Sequence, residues 1–172
     1  MNYWLLKSEP DAFSVDDLAR AKNRTMPWEG VRNFQARNLL RDDVREGDLG
    51  FFYHSSCDVP GIVGVVKIVR AAYADPSAND PRSDYFDPKA DPFSPRWFCV
   101  DVRLEEAIEP IIALDELRSH ATRELKNMLV LKRGNRLSVT PVTRDEWTFV
   151  RSLRGDPSRD ARRSGGRVRK KT

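Results

Sequence analysis

Aromatic residues and hydrogen-bonding groups occur together at three places in this 172-residue chain, and a fourth place carries hydrogen-bonding side chains alone, each at a predicted strand end or turn. These are the residue types that a pocket for a flat, polar nucleobase requires. An aromatic ring stacks on a base, which is worth about 1–3 kcal/mol per base, and amides, hydroxyls and backbone groups bind the base edge. The four groups are Trp4, Lys7 and Ser8; Trp28, Gly30 and Asn33; Tyr53, His54 and Ser55; and Arg136 and Ser138.

The two tryptophans in this set differ in their local context. Trp4 lies in the apolar run 3–6, where a tryptophan is typical of a hydrophobic core. Trp28 lies in the polar stretch NRTMPWEG, between Pro27 and Glu29, and there both a core position and a pocket wall stay open.

The sequence lacks the common motifs of nucleotide-binding and hydrolytic enzymes. It contains no G-x-G-x-x-G, no G-x-x-x-x-G-K-[ST] and no G-x-S-x-G. His54 and Ser56 share a strand face, but no acid stands at a spacing that would orient the histidine. Cys57 and Cys99 form no metal-binding spacing and are expected to be buried thiols. We predict no catalytic residue, no metal site and no cofactor; the alternative is an enzyme that uses Glu9 and His54 as acid and base.

Positive charge is concentrated at the carboxyl terminus. Residues 151–172 contain nine arginines and lysines against two aspartates, whereas residues 1–150 contain 21 basic and 24 acidic residues. The stretch RDARRSGGRVRKKT has no apolar periodicity, which predicts a basic disordered tail over 154–172. This tail is either an arm that binds nucleic-acid phosphates or a solubilising terminus. The candidate phosphate contacts in this tail are Arg162, Arg163, Arg167, Arg169, Lys170 and Lys171.

The amino terminus does not have the pattern of a signal peptide, because it carries acids at Glu9 and Asp11 and no long apolar run. The longest run without Asp, Glu, Lys, Arg or His, 59–66, is too short to span a bilayer. We expect a cytoplasmic monomer that does not interact with membranes, or a nuclear one if the source is a eukaryote.

Short strands dominate the pattern of elements that must position these residues. Strands are predicted over 3–7, 49–54, 60–73, 97–108 and 137–142, and residues 23–30 are predicted to form a loop. Ser14, Asn33 and Thr143 are placed to cap short helices, and helical turns are expected at 114–119 and 122–127. Residues 74–95 contain five prolines and form a long loop, which in a compact domain is usually functional or mobile. This order favours an α+β fold, a small mixed β-barrel with peripheral helices.

Seven ordered blocks of the sequence are similar to the EVE domain family. They are YWLLKSEP at 3–10, WEGVRNFQARN at 28–38, FFYHS at 51–55, PGIVGVV at 60–66, YFDPKA at 85–90, RWFCVDV at 96–102 and RLSVTPVTRDEW at 136–147. The resemblance implies an EVE domain over 1–153, followed by the tail over 154–172. It also implies a PUA-like fold, a twisted β-barrel with peripheral short helices, related to the YTH domains that read methylated adenine in RNA.

The family resemblance implies a deep pocket that reads a modified base, chiefly modified cytosine in DNA. Carried over to this sequence, the ligand contacts are Lys7, Ser8, Trp28, Val31, Asn33, Tyr53, His54, Ser55, Arg136 and Ser138. Lys132 and Arg133, together with the tail, would hold phosphates. At the end of the first strand we favour Ser8 over Lys7 for direct base contact, because the two side chains alternate in direction.

The leading hypothesis is a non-catalytic module that reads a modified nucleobase. A second is an RNA-binding PUA-like protein linked to RNA modification or translation, which would use the 2′-hydroxyl. The third is an enzyme that acts on a modified base or nucleotide, with Glu9 and His54 as acid and base. The fourth is a structural partner of a nuclease or helicase. DNA is favoured over RNA as the partner.

Overall fold

The computed structural model describes residues 1–155, so the predictions made for the basic arm at 162–171 lie outside the described residues. In the described part the helices and strands follow one another in this order: β1 (Tyr3–Ser8), α1 (Val15–Arg20), β2 (Thr25–Trp28), α2 (Phe34–Asn38), β3 (Leu49–His54), β4 (Gly61–Ala74), β5 (Phe98–Ala113), α3 (Leu114–Ser119), β6 (Val139–Val142) and α4 (Arg144–Ser152). Helix α2 continues into a π-helical turn, Leu39–Asp43. No helix among residues 1–155 is long and apolar enough to cross a membrane.

These six strands form one mixed sheet in the order β2-β5-β4-β3-β1-β6. Strands β1 and β3 run parallel, and the other neighbours in this sheet pair antiparallel. The two outer strands contribute to one cluster of buried residues, Trp28 from β2 and Val139 from β6. The sheet must therefore curl around that cluster, and the α+β class that the sequence predicts is confirmed.

Alternation along β1 and β3 divides their buried residues between the two faces of the sheet. Leu5 pairs with Phe51 on one face, and Leu6 pairs with Phe52 on the other. The first core, which the sheet curls around, includes Trp4, Leu6, Leu18, Trp28, Phe52, Val66, Val102 and Val139. The second core includes Leu5, Phe51, Tyr53, Ile62, Ile112, Leu117, Leu125 and Trp147. Because successive side chains of a strand point to opposite faces, the apolar runs of β1 and β3 supply both cores.

The predicted helix caps are present. Ser14 and Asp17 form a reciprocal capping box at α1, and Thr143 and Glu146 form another at α4. The side-chain oxygen of Asn33 accepts a hydrogen bond from the Ala36 amide at 3.0 Å and so caps α2. Each cap satisfies an amide that the first helical turn leaves without a partner.

Residues 25–28 differ from the sequence prediction, which placed them in a loop. They form strand β2, which pairs with β5 from Thr25–Arg103 to Trp28–Val100. Pro27 has no amide hydrogen to donate. It is tolerated because β2 is an edge strand, and the outer side of an edge strand pairs with no other strand. Local propensity was therefore outweighed by pairing with a distant strand.

Ordered structure also reaches past the predicted end of the domain at residue 153. The Arg154 guanidinium donates to both carboxylate oxygens of Glu116, at 2.8 and 2.6 Å. It also donates to the backbone carbonyls of Pro110 and Ile111, each at 2.7 Å. Arg154 thus contacts the end of β5 and α3; the domain boundary itself stays a prediction.

Candidate functional site

A cavity of about 760 Å³ opens where the carboxyl ends of β1 and β3 meet. Its lining comprises Lys7, Ser8, Glu9, Ala12, Phe13, Met26, Pro27, Trp28, Glu29, Gly30, Val31, Ser55, Ser56, Tyr85, Arg136 and Ser138. Parallel strands end at the same edge of a sheet, so Ser8 and the residues just past His54 become neighbours; the Ser55 amide donates to the Ser8 carbonyl at 3.0 Å. The cavity is within the range of roughly 300–1,000 Å³ that small-molecule sites occupy.

The structure brings most of the sequence-predicted ligand contacts together in this cavity. Those that line it are Lys7, Ser8, Trp28, Val31, Ser55, Arg136 and Ser138. Lys7, Ser8 and Ser55 come from the ends of β1 and β3. The other four come from the two edges of the sheet, β2 with its following loop and the segment before β6. The curl of the sheet is what makes them neighbours.

Three predicted contacts do not line the cavity. Asn33 uses its side-chain oxygen to cap α2. Tyr53 is 3% exposed and lies in the second core, on the opposite face of β3 from Phe52. Burial raises the pKa of its hydroxyl to about 12.

His54 is the third residue outside the cavity lining. Its Nε2 accepts a hydrogen bond from the Val15 amide at 3.1 Å, which satisfies a first-turn amide of α1. Its ring packs edge-on against Phe52, with 5.3 Å between the centroids. Burial lowers the pKa of His54, and the charges of Asp16 and Asp17 only partly oppose this. A neutral imidazole that caps a helix explains why a histidine stands at this strand end.

Trp28 is both a cavity wall and a core residue, so each alternative that the sequence left open is realised. Its ring lies 4.8 Å from Phe52 and 5.3 Å from Phe13, both edge-to-face. It is only 3% exposed. Trp28 therefore forms a fixed inner wall, and the half-buried rings of Phe13 and Tyr85 are the more accessible aromatic surfaces of the lining.

Ser8 has its hydroxyl proton committed to the protein. Its Oγ donates to the Phe13 carbonyl at 2.8 Å, which ties the chain after β1 to the strand end. A hydroxyl in this arrangement keeps acceptor lone pairs. Towards a ligand, Ser8 would therefore act as an acceptor, for instance from an amino group.

Lys7 and Arg136 place positive charge on the lining without a carboxylate partner among residues 1–155. Lys7 is half-buried, and desolvation lowers its pKa. Glu9 and Glu29 bring negative charge to the same lining. Burial raises the pKa of Glu29, and the nearby charge of Asp75 adds to the shift. The cavity thus offers both donors and acceptors, which suits a base edge that carries both.

A buried ion pair fixes the wall that the long loop contributes. Arg32 donates to Asp75 Oδ2 at 2.8 Å, and Asp75 is almost fully buried. Asp75 also accepts from the Gly30 amide at 2.9 Å and from the Ser77 hydroxyl at 2.6 Å. Burial alone would raise the pKa of Asp75, but the hydrogen bonds from Ser77, Arg32 and Gly30 outweigh it and hold the pKa below its usual value.

The same Arg32 guanidinium holds Tyr85 in place. Its Nε and Nη2 donate to the Tyr85 carbonyl at 2.9 and 2.6 Å. Gly30 has φ +83°, and a Cβ at this position would lie 2.7 Å from the Tyr85 ring. Burial and the charges of Glu29, Asp84 and Glu9 raise the pKa of Tyr85, so its phenol keeps its proton.

Sequence reasoning missed Phe13, Glu29, Arg32 and Tyr85 as parts of the site. One signal pointed to Tyr85, because the proline-rich loop 74–95 was expected to be functional or mobile. Nothing in the sequence paired Arg32 with Asp75, since 43 residues separate them.

The predicted phosphate contacts Lys132 and Arg133 lie at the surface, in the loop that leads to Arg136 on the cavity lining. Their binding role stays a prediction. Among residues 1–155, no group of three or more histidine, cysteine, aspartate or glutamate side chains could hold a metal ion.

Comparison with known proteins agrees with this architecture. The profile of the EVE domain matches residues 2–153. The chain belongs to the EVE domain family. Thymocyte nuclear protein 1 of Gallus gallus is 42% identical over 166 residues, which cover 88% of this chain and 68% of that protein. The Homo sapiens protein of the same name is 40% identical over 167 residues, covering 88% and 73%.

Solved structures of EVE domain relatives superpose on most of the chain. A Pseudomonas syringae protein is 45% identical, with a TM-score of 0.83, and the match covers 88% of this chain and 99% of that one. The human THYN1 protein, in a crystal structure in complex with DNA containing 5-methylcytosine, is 39% identical, with a TM-score of 0.85 and coverage of 91% and 99%.

Proposed function

We propose that this EVE domain is a non-catalytic module that binds nucleic acid and accepts one modified base, a modified cytosine in DNA, in the cavity at the ends of β1 and β3. The observation that carries the proposal is the match, over 91% of the chain, to a relative crystallised with DNA containing 5-methylcytosine. The cavity supports it through its size, its aromatic wall and its mixed polar lining.

The base would enter from a single strand or by extrusion from a duplex, which costs a few kcal/mol. Contact with aromatic rings of the lining, at roughly 1–3 kcal/mol per base, can offset that cost. Phe13 and Tyr85 are the accessible rings, and Trp28 limits how deep the base can sit.

Hydrogen-bonding groups on the lining match the edge of cytosine, which carries an amino donor and acceptors. Ser8 and Glu29 would accept from the amino group, and Lys7 would donate to the ring carbonyl. Lys132, Arg133 and the basic tail would contact phosphates, which adds affinity without sequence information.

Titration of oligonucleotides that differ in one base tests the proposal. Fluorescence anisotropy should show tighter binding of a strand with one 5-methylcytosine than of the same strand with cytosine or thymine. RNA strands of the same sequence form a separate arm, since a site that uses the 2′-hydroxyl prefers RNA. Equal affinity for every base form would contradict base reading.

Trp28→Ala is a poor probe of the cavity, because removing a core tryptophan costs about 3–5 kcal/mol of stability by itself. Ser8→Ala is a cleaner one, since it removes a single hydroxyl. It should weaken binding of the modified strand by about tenfold, the effect of about 1.4 kcal/mol. Arg144→Gln is a suitable control, because exposed Arg144 lies at the opposite end of β1, near Tyr3. A loss that is the same in both variants would speak against the cavity as the binding site.

A further inference from the structure

Three side chains beside the cavity form a surface that we call the aromatic platform: Phe34, Arg37 and Trp97. The Phe34 and Trp97 rings stack with 4.9 Å between centroids and 23° between planes. The Arg37 guanidinium carbon lies 5.0 Å from the Phe34 centroid and 6.0 Å from the Trp97 centroid. Phe34 is 54% exposed and is the platform's solvent-facing ring, because Trp97 is 7% exposed and lies behind it.

One ring of the platform, that of Trp97, is anchored by a hydrogen bond and by a cation–π contact. Trp97 is buried, and its Nε1 donates to Asp87 at 2.7 Å. The Arg32 guanidinium lies 5.4 Å from the Trp97 centroid and is itself bound to Asp75. A base that stacks on the exposed Phe34 ring meets a ring already packed on an anchored tryptophan. Few protein side chains then need to be ordered, which favours binding.

Arg37 is a cation without a carboxylate partner among residues 1–155. Its Nη1 donates to the Arg96 carbonyl at 2.7 Å, and its Nε donates to the Asn38 side-chain oxygen at 2.8 Å; both acceptors are neutral. Neighbouring Arg41 differs, since it makes two hydrogen bonds to the carboxylate of Asp42. A planar guanidinium with free N–H groups is suited to a phosphate.

The platform is continuous with the cavity. Arg32 donates to the carbonyl of Tyr85, a cavity residue, and lies over Trp97 of the platform. Val31 lines the cavity and precedes Phe34 by three residues. Three residues span at most about 11 Å, which equals about three base steps of 3.4 Å along a strand. A strand with one base in the cavity therefore reaches the platform with a nucleotide within about three positions of that base.

We propose that the aromatic platform binds a nucleotide that flanks the inserted base, within about three positions of it, with Phe34 stacking on its base and Arg37 contacting its phosphate. The proposal rests on the proposed function, because it adds a second contact for the same strand. The platform would contribute affinity for the strand and would not distinguish a modified base from a plain one.

Two probes separate the platform from the cavity. One is a single-stranded deoxyoligonucleotide with one central 5-methylcytosine, and the other is free 5-methyl-2′-deoxycytidine, which can occupy only the cavity. Phe34→Ala should weaken oligonucleotide binding about tenfold through lost stacking and leave nucleoside binding unchanged. Phe34 is exposed, so the variant should fold; thermal unfolding checks this.

The salt dependence of binding tests Arg37. Arg37→Gln should reduce the slope of log K against log salt by about 0.7, the value for one phosphate contact on a single strand. Arg37→Lys keeps the positive charge, so the salt slope should stay the same. The affinity should still fall, because lysine lacks the planar guanidinium that binds phosphate with two N–H groups. Arg144→Gln removes a positive charge at the opposite end of β1. It should change neither the salt slope nor the affinity for the oligonucleotide.

Two results would overturn the platform proposal. One is unchanged oligonucleotide binding in both Phe34→Ala and Arg37→Gln. The other is a loss of nucleoside binding as large as the loss of oligonucleotide binding, which would mean that the variants act through the cavity. Failure of the proposed function looks different: the wild-type chain would bind modified and plain strands equally, while the platform variants would still weaken both. A wild-type chain that binds the nucleoside but no oligonucleotide overturns the platform alone.

Discussion

Gly30 shows how one residue without a side chain shapes the candidate site. Its φ of +83° is in the left-handed region, and the Tyr85 ring occupies the space where a Cβ would stand. The Gly30 amide also binds Asp75. A glycine here thus allows the loop after β2 and the long loop to approach each other closely.

Gly30→Ala should destabilise the protein by about 1–3 kcal/mol from overpacking, in addition to the cost of a left-handed alanine. It should also weaken base binding, because Tyr85 must move. Gly47→Ala is the matched control: Gly47 has φ +91°, and a Cβ added there would have no heavy atom within 4 Å. Urea unfolding and oligonucleotide titration of both variants give the comparison; equal losses would show that only backbone conformation matters at Gly30.

His54 gives the fold a pH dependence with a defined sign. Its pKa in the folded protein is lowered from 6.5 by burial, so near and below pH 6.5 the unfolded chain binds the proton that the folded chain excludes. Its contribution to stability is therefore present above about pH 6.5 and is lost as pH falls through the lowered pKa. His54→Gln keeps an acceptor for the Val15 amide but does not titrate.

The free energy of unfolding of the wild type should accordingly fall more steeply than that of His54→Gln between about pH 7 and 5, measured by urea titration at each pH. Asp16 and Asp17, which face His54, are present in both chains and cancel in the difference. If the free energy of unfolding changes with pH by the same amount in both proteins, His54 is not the cause of the pH dependence.

Parallel pairing of β1 with β3 determines where the cavity lies. It places the end of the first strand, Ser8, beside Ser55, although the two residues are far apart along the chain. The edge strand β2 then closes the other side with Trp28. These pairings are long-range, so no local pattern in the sequence reveals them.

The long loop is tied to the cavity through one ion pair, and Asp75→Ala should release it. The substitution leaves Arg32 without its carboxylate and the Gly30 amide without an acceptor, which should cost about 3–5 kcal/mol. Limited trypsin digestion should then cut faster at Arg82 and Lys89. Asp80→Ala in the same loop removes an exposed pair with Arg82 and the acceptor of the Arg82 amide. It should destabilise the protein much less, because exposed ion pairs contribute little; a similar loss in both variants would refute a special role for Asp75.

At the scale of the whole molecule, the folded domain and the basic tail are predicted to act separately. Residues 156–172 carry seven arginines and lysines against two aspartates. A chain truncated after Gly155 keeps the hydrogen bond from Arg154 to Glu116. Its free energy of unfolding and its affinity for the nucleoside should therefore equal those of the full chain.

The truncated chain should nevertheless bind oligonucleotides more weakly at low salt. Its slope of log K against log salt should fall by about 0.7 to 0.9 for each phosphate that the tail neutralises in the full chain. Anisotropy titrations between low and moderate salt measure this slope. An unchanged slope would assign the tail a solubilising role.

The sequence by itself determined the α+β class, the capped helices at Ser14, Asn33 and Thr143, and most strands, because these follow from local periodicity and capping chemistry. The quoted blocks also identified the family and seven cavity residues. Local signals fail where a residue has two chemically reasonable partners. Asn33 and His54 have the polar groups that a base edge needs, and in the structure both cap helices instead.

Only the tertiary structure decided which of these residues share a cavity and what holds it in shape. The curl of the sheet brings β2 and β6 together, and the Arg32–Asp75 pair joins segments 43 residues apart. Such contacts depend on strand register and on the route of a long loop, neither of which has a periodic signature. The physical reason is that burial and pairing energies come from distant partners, so they are fixed only when the chain is folded.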